Sequence, residues 1–150
     1  MEKDFLASLI KLFDRELTTL EKEINLYPSE ENIWKLGGEI KNTAGNLCLH
    51  LCGNLQHFIG TVLGHSGYVR NRDYEFAARS LTREHLLREV QTTREVVKST
   101  LTKLDEAILQ KEYPLQTLGY PMTTSYFLVH LYGHLNYHLG QINYHRRLIA

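Results

Sequence analysis

Hydrophobic positions recur at three- and four-residue intervals along four long stretches of this chain, and no stretch alternates strictly as a half-buried strand would. In the first stretch Phe5, Leu6, Leu9, Ile10, Phe13, Leu17, Leu20 and Ile24 make one apolar face, with Glu and Lys opposite. This spacing predicts a helix over 3–25. Tyr27-Pro28-Ser29 ends it, because proline disfavours helical geometry in the residue before it. A second helix is predicted over 42–63, closed by Gly64, Ser66 and Gly67. A third is predicted over 81–109, with Ser80 or Thr82 as N-cap and Leu86, Leu87, Val90, Val97, Leu101, Leu104 and Ile108 on its apolar face. The fourth covers 124–149, capped by Thr123 or Thr124.

Four helices of this length in 150 residues predict one all-α domain over 1–150, a four-helix bundle with no sheet. Residues 66–80 make a long connection between the second and third helices, which permits a crossover. An up-down-down-up order is therefore at least as expected as a simple up-down bundle. Seventeen basic residues balance seventeen acidic ones, which argues against nucleic acid or an anionic membrane as the main partner. Two cysteines are too few for a disulfide framework, and the first residues mix acids with apolar positions without a leader-type cleavage site. A cytoplasmic protein is the expectation.

Charge is distributed unevenly. No Asp, Glu, Lys or Arg occurs between Asn42 and His65, or between Thr123 and His145, whereas the first and third helices are dense in both signs. Asn, Gln, Gly and His interrupt both uncharged segments too often for membrane spans. These two helices are expected to be interior, or to bury a second face against a partner.

Their polar residues form stripes. At about 100° per residue, Asn46, His50, Asn54 and His57 fall within roughly ±40° of His50, and His130, His134, His138, Gln141 and His145 within the same spread around His134. A polar stripe is most often a solvent face, but solvent faces are built from Lys, Glu, Arg and Gln. Buried imidazoles need partners, and a divalent metal satisfies several at once. His134-x-x-x-His138 sets two rings one turn apart, and a third ligand must come from another helix. His50, mid-helix in the other uncharged segment, is the natural candidate, but His57 and His130 fit the same ladder, and spacing alone does not choose among them.

The segment His134-Leu135-Asn136-Tyr137-His138-Leu139-Gly140-Gln141-Ile142 resembles the final-helix motif of the DinB-like family, His-x-x-x-His-x-Gly-Gln-Ile. The segment from Asn46 to Leu55, with its single histidine, is similar to that family's second-helix motif, and residues 53–76 look closest to a branch of unassigned activity. The resemblance covers essentially the whole chain. It implies an up-down-down-up bundle holding one divalent ion, nickel or zinc, on His50, His134 and His138. It also implies a metal-dependent enzyme acting on a small-molecule substrate, a transferase using a low-molecular-weight thiol or a hydrolase. The alternative is a non-enzymatic, metal-stabilised bundle acting in stress response or protein interaction.

Other residues are assigned from the chain itself. Asn54, His57, His130 and Gln141 are the pocket candidates, and His145 a supporting or core group. Neither site helix supplies a carboxylate, so proton transfer is expected to fall to His57 or His130, with residues 66–80 as a lid. Arg70, Arg72 and Asp73 are read as a solvated loop, and Cys48 and Cys52 as small buried hydrophobes. Two long uncharged helices present more apolar surface than one bundle hides, which predicts a homodimer through the second helix, the fourth, or both.

Overall fold

The computed structural model describes residues 2–149. In chain order it contains α1 (Glu2–Leu26), α2 (Glu30–Ile33), α3 (Ala44–Leu55), α4 (Arg72–Ala77), α5 (Arg83–Lys103) and α6 (Thr124–Ile149). A π-helical turn, Gln56–Thr61, prolongs α3, and a 3-10 turn, Glu106–Gln110, follows α5. No strand occurs among the described residues; Glu112 and Thr123 form one isolated bridge.

Cross-helix contacts give the direction of each long helix. Arg83 donates to the carbonyls of Ile24, Asn25 and Tyr27, while Arg94 pairs with Asp14 and Glu21, so α5 runs antiparallel to α1. Phe13 and Arg15 meet Tyr132, whereas Glu23 meets Asn143 and Arg146, so α6 runs parallel to α1. Gln56 bonds Thr93, and further along Gly64 lies against Thr100, so α3 and its π turn run parallel to α5. The order is up-down-down-up. Phe13, Leu17, Leu20, Ile24, Leu51, Leu55, Leu86, Val90, Leu128, Leu135 and Ile142 are wholly buried between the four helices. Each such side chain contributes about 1.5–3 kcal/mol of burial.

The elements depart from the sequence reading in three places. The third helix stops at Lys103 rather than 109, because Leu104 turns extended and the Asp105 side chain caps a new turn by accepting from Ala107 N. The crossover is not all loop: Asn71 caps α4 within it, accepting from Tyr74 N. Of the two uncharged helices, only α3 is interior. Every residue of 44–55 is buried, since α4, α5 and α6 all pack on it. The helix α6 buries Phe127, Leu131, Leu135 and Ile142, but Tyr126, Val129, Tyr137, Tyr144 and Leu148 on its far side are half or more exposed. Thr82 rather than Ser80 caps α5, and Thr123 caps α6, each oxygen accepting a first-turn N–H. Cys48 and Cys52 are buried free thiols, and their mutual hydrogen bond together with burial pushes Cys48 well above the usual thiol range.

Candidate metal centre

Antiparallel packing of α3 on α6 brings His50 opposite His134 and His138. Each of the three side chains offers a ring nitrogen, and these nitrogens all lie within 4.8 Å of one another. His50 Nε2 and His134 Nε2 are 3.1 Å apart. Two nitrogens bound at ~2.0–2.1 Å around a tetrahedral ion stand about 3.3 Å apart, so this spacing fits a shared cation.

Two of the outer nitrogens are already engaged. His138 Nδ1 donates to Gln141 Oε1 at 2.7 Å. His50 Nδ1 faces Glu75 Oε1 at 3.1 Å. Glu75 comes from α4, within the crossover, and its side chain is 5% exposed. Arg70 grips it twice, Nε to Oε2 at 2.9 Å and Nη2 to Oε1 at 3.0 Å. Burial alone would push the Glu75 carboxyl up; its hydrogen bonds to His50 and Arg70 and the Arg70 charge outweigh it and hold it below the usual carboxylate range. An ionised carboxylate only accepts, so His50 carries its proton on Nδ1 and turns the Nε2 lone pair towards His134. Arg70 Nη2 also lies 3.2 Å from Nδ1, with its donors directed at Glu75. A carboxylate behind a ligand histidine is the arrangement that fixes ring orientation and raises basicity at metal sites.

Local sequence explains why Glu75 can reach the site. Asn46 Nδ2 donates to the carbonyls of Glu75 and Ala78, at 3.0 and 2.9 Å, which pins α4 to the first turn of α3. Arg79 Nη1 donates to Asn46 Oδ1 from the other side. Gly53 then leaves room for the carboxylate, since a Cβ there would overlap Glu75 Oε2. The helical residue without a side chain and the buried acid are one device.

His134 completes the set. Its Nδ1 is buried without a hydrogen-bond partner. Burial first, then the neighbouring His138, His50 and His130 rings and Arg70, depress its pKa to about 3. Burial likewise lowers His138, against the raising effect of Gln141. These two imidazoles stay neutral at physiological pH, the form that could bind a metal. Without metal, stability should fall as pH drops below about 6.5. Between the ordinary imidazole value and about 3 the unfolded chain binds the proton that folded His134 refuses, so stability is complete above 6.5 and is lost progressively towards 3. Partial exposure of His134 tempers the slope. Denaturation in chelator from pH 8 to 4 should show His134→Phe with a flatter profile than wild type; parallel profiles would contradict it.

The other sequence candidates separate. Gln141 supports His138, and Asn54 is buried with its Oδ1 unpartnered. His57 is half-buried against Phe58, with its pKa lowered by burial and then by Arg70. His130 is exposed and stacked on Phe127, with 6.5 Å between its ring centroid and that of His134. His145 is a core group, bonded to Tyr27 Oη and the Lys35 carbonyl. The reading of Arg70 as a solvated loop residue is overturned, because Glu75 draws it inward. The expectation that no carboxylate serves the site holds for α3 and α6 only. Sequence reasoning missed Glu75; its one available signal was Gly53, a mid-helix glycine three residues after His50 that no turn explains.

Comparison with known proteins places this arrangement in a family. The profile described as "Protein of unknown function (DUF1572)" matches residues 1–150. The chain belongs to the DUF1572 family. A search of curated proteins finds no match. A DinB-like protein from Bacillus cereus ATCC 10987 superimposes with a TM-score of 0.70 at 18% identity, covering 89% of this chain and 85% of that one. A conserved protein from Enterococcus faecalis superimposes with a TM-score of 0.73 at 19% identity, covering 95% of both chains. At these identities the likeness shows the fold, which is DinB-like, as the final-helix motif led us to expect. No helix of the described residues is long and apolar enough to cross a membrane.

Proposed function

We propose that this DUF1572 member is a metal-dependent enzyme whose divalent ion, zinc or nickel, sits on His50, His134 and His138. The carrying observation is the convergence of three ring nitrogens, with the outer nitrogens of His50 and His138 held by Glu75 and Gln141. Buried imidazoles arranged purely for packing would not need a carboxylate and an amide aimed at their far sides. Three histidines leave a coordination position open, and His134 and His138 are only partly buried, which supports an ion that solvent and substrate can reach.

An ion of this kind supplies Lewis-acid polarisation and lowers the pKa of a thiol or water. The chain's own residues orient the ligands. Glu75 fixes the His50 tautomer, Arg70 keeps Glu75 ionised, and Gln141 directs His138. His57 and the buried amide of Asn54 are the groups proposed to line the substrate side. The substrate class we favour is a small electrophile attacked by a low-molecular-weight thiol, with ester or amide hydrolysis as the second chemistry to assay.

The test begins with protein purified without a metal-affinity column. About one divalent ion per chain is expected, retained by His130→Ala. Metal-loaded protein is then screened against small electrophiles with several thiols, and against simple esters and amides. Turnover unchanged by metal removal would overturn the mechanism. A tightly bound ion that raises thermal stability without any turnover would favour the non-enzymatic bundle instead.

A further inference from the structure

We infer that the outward face of α6 is the seam of a two-fold homodimer. Tyr126, Val129, Tyr137, Tyr144 and Leu148 stand 52, 51, 65, 64 and 73% exposed along it. The outward positions Tyr126, His130, Gly133, Tyr137, Gly140 and Tyr144 are spaced alternately four and three residues apart. That is the repeat which keeps one helix facing another over several turns.

Two independent observations mark this face as something other than a solvent face. It carries no formal charge from 123 to 145, although the exposed faces of α1 and α5 are dense in charge. Gly133 and Gly140 are also unexplained within the subunit, since a Cβ at either would meet nothing within 4 Å. Each glycine in mid-helix costs about 1 kcal/mol relative to alanine. Close approach of another backbone accounts for both.

The composition of the stripe argues for a second copy rather than an unlike partner. The stripe is uncharged and tyrosine-rich along its whole length, so a second copy presents a face of the same kind. An antiparallel pairing centred on Tyr137 sets Tyr126 opposite Leu148 and His130 opposite Tyr144. It also keeps the Arg146-Arg147 ends apart, where a parallel pairing would bring like charges together. A groove of about 530 Å³, lined by Phe5, Thr123, Ser125, Tyr126, Val129 and His130, lies where Leu148 of the second copy would arrive. Three tyrosines at 150–250 Å² each, more than half exposed, together with Val129 and Leu148 offer roughly 600 Å² per copy, near the ~800 Å² of a standard interface. The helix α3 has no exposed residue to add, so the seam is α6 alone. Pairing would also cover Gln141, the residue that directs His138.

Light scattering or sedimentation of the full chain should give twice the 17.5 kDa mass at micromolar concentration. Gly133→Leu with Gly140→Leu should give a single-chain mass, with helical content by circular dichroism and bound metal unchanged, because both side chains enter open space in the subunit. Tyr137→Cys, nearest the two-fold axis, should oxidise to a covalent dimer without losing the fold. A wild type that stays at 17.5 kDa at high micromolar concentration overturns the proposal. A dimer that survives both leucines, or a Tyr137→Cys dimer that fails to cross-link, overturns the placement of the seam. The readouts are masses and cross-links, so they stand apart from the metal-dependent activity.

Discussion

Alanine at His50, His134 or His138 should each reduce bound metal from about one ion per chain to near zero after dialysis. Two imidazoles on one helix, or one on each, hold a divalent ion far less tightly than three. The loss should exceed the ~10–100-fold that follows removal of a supporting residue. The three variants should differ in stability when measured in chelator. His50 is buried and hydrogen-bonded to Glu75, so His50→Ala takes the imidazole donor from Glu75 Oε1 and opens a cavity, while the Arg70–Glu75 pair remains. The His134 and His138 rings are only partly buried, so their removal should cost less. Elemental analysis and chemical denaturation check both parts. Full metal occupancy in all three variants would remove the assignment.

The histidine ladder was legible because a helix converts spacing into direction. His134 and His138 are one turn apart on a helix without formal charge, and no tertiary information is needed to see that they share a face. The choice of His50 over His57 was not readable in this way. His57 lies seven residues on, on nearly the same face. The antiparallel register of α3 on α6 separates them: Phe58 meets Phe127, which leaves His50, two turns earlier, opposite His134 and His138. Registers of this kind follow from ridges and grooves of whole helices, which one helix's sequence does not contain. The family motif supplied what spacing could not.

The carboxylate was hidden for a different reason. Glu75 lies in a crossover whose hydrophobic pattern is too short to show a period, and α4 is only six residues long. Its position depends on Asn46, 29 residues earlier, capturing the Glu75 carbonyl. Asn46 belongs to the polar stripe of the second helix, and as a buried amide it needs partners. The partner is a backbone rather than a ligand. The early end of α5 has a similar cause. The apolar period runs on through Leu104 and Ile108, but Asp105 offers a side-chain cap to the following turn, and the local hydrogen bond wins over periodicity.

The buried triad of Glu75, Arg70 and His50 leads to the second large effect. Glu75→Gln preserves shape but removes the charge that fixes the Nδ1 proton on His50, and it leaves Arg70 without a counter-charge. Metal affinity should fall about 10–100-fold, the range for losing a carboxylate behind a ligand histidine. Stability should fall too, towards the lower end of the ~3–5 kcal/mol for breaking a buried pair, since Arg70 retains some solvent contact. Gly53→Ala provides the sharper test, because it touches no ligand. Its Cβ would overlap the Glu75 carboxylate, so the acid must move away from His50 for the methyl to fit. The affinity loss in Gly53→Ala should therefore resemble that of Glu75→Gln. The double variant should be no worse than about the larger single effect, since residues acting as one unit are not additive. Chelator-competition titrations measure all four corners of this cycle, and denaturant unfolding separates affinity from folding. Unchanged affinity in both single variants would show that Glu75 does not support His50. Fully additive losses would show that Gly53 acts through the helix α3 itself rather than through the acid it admits.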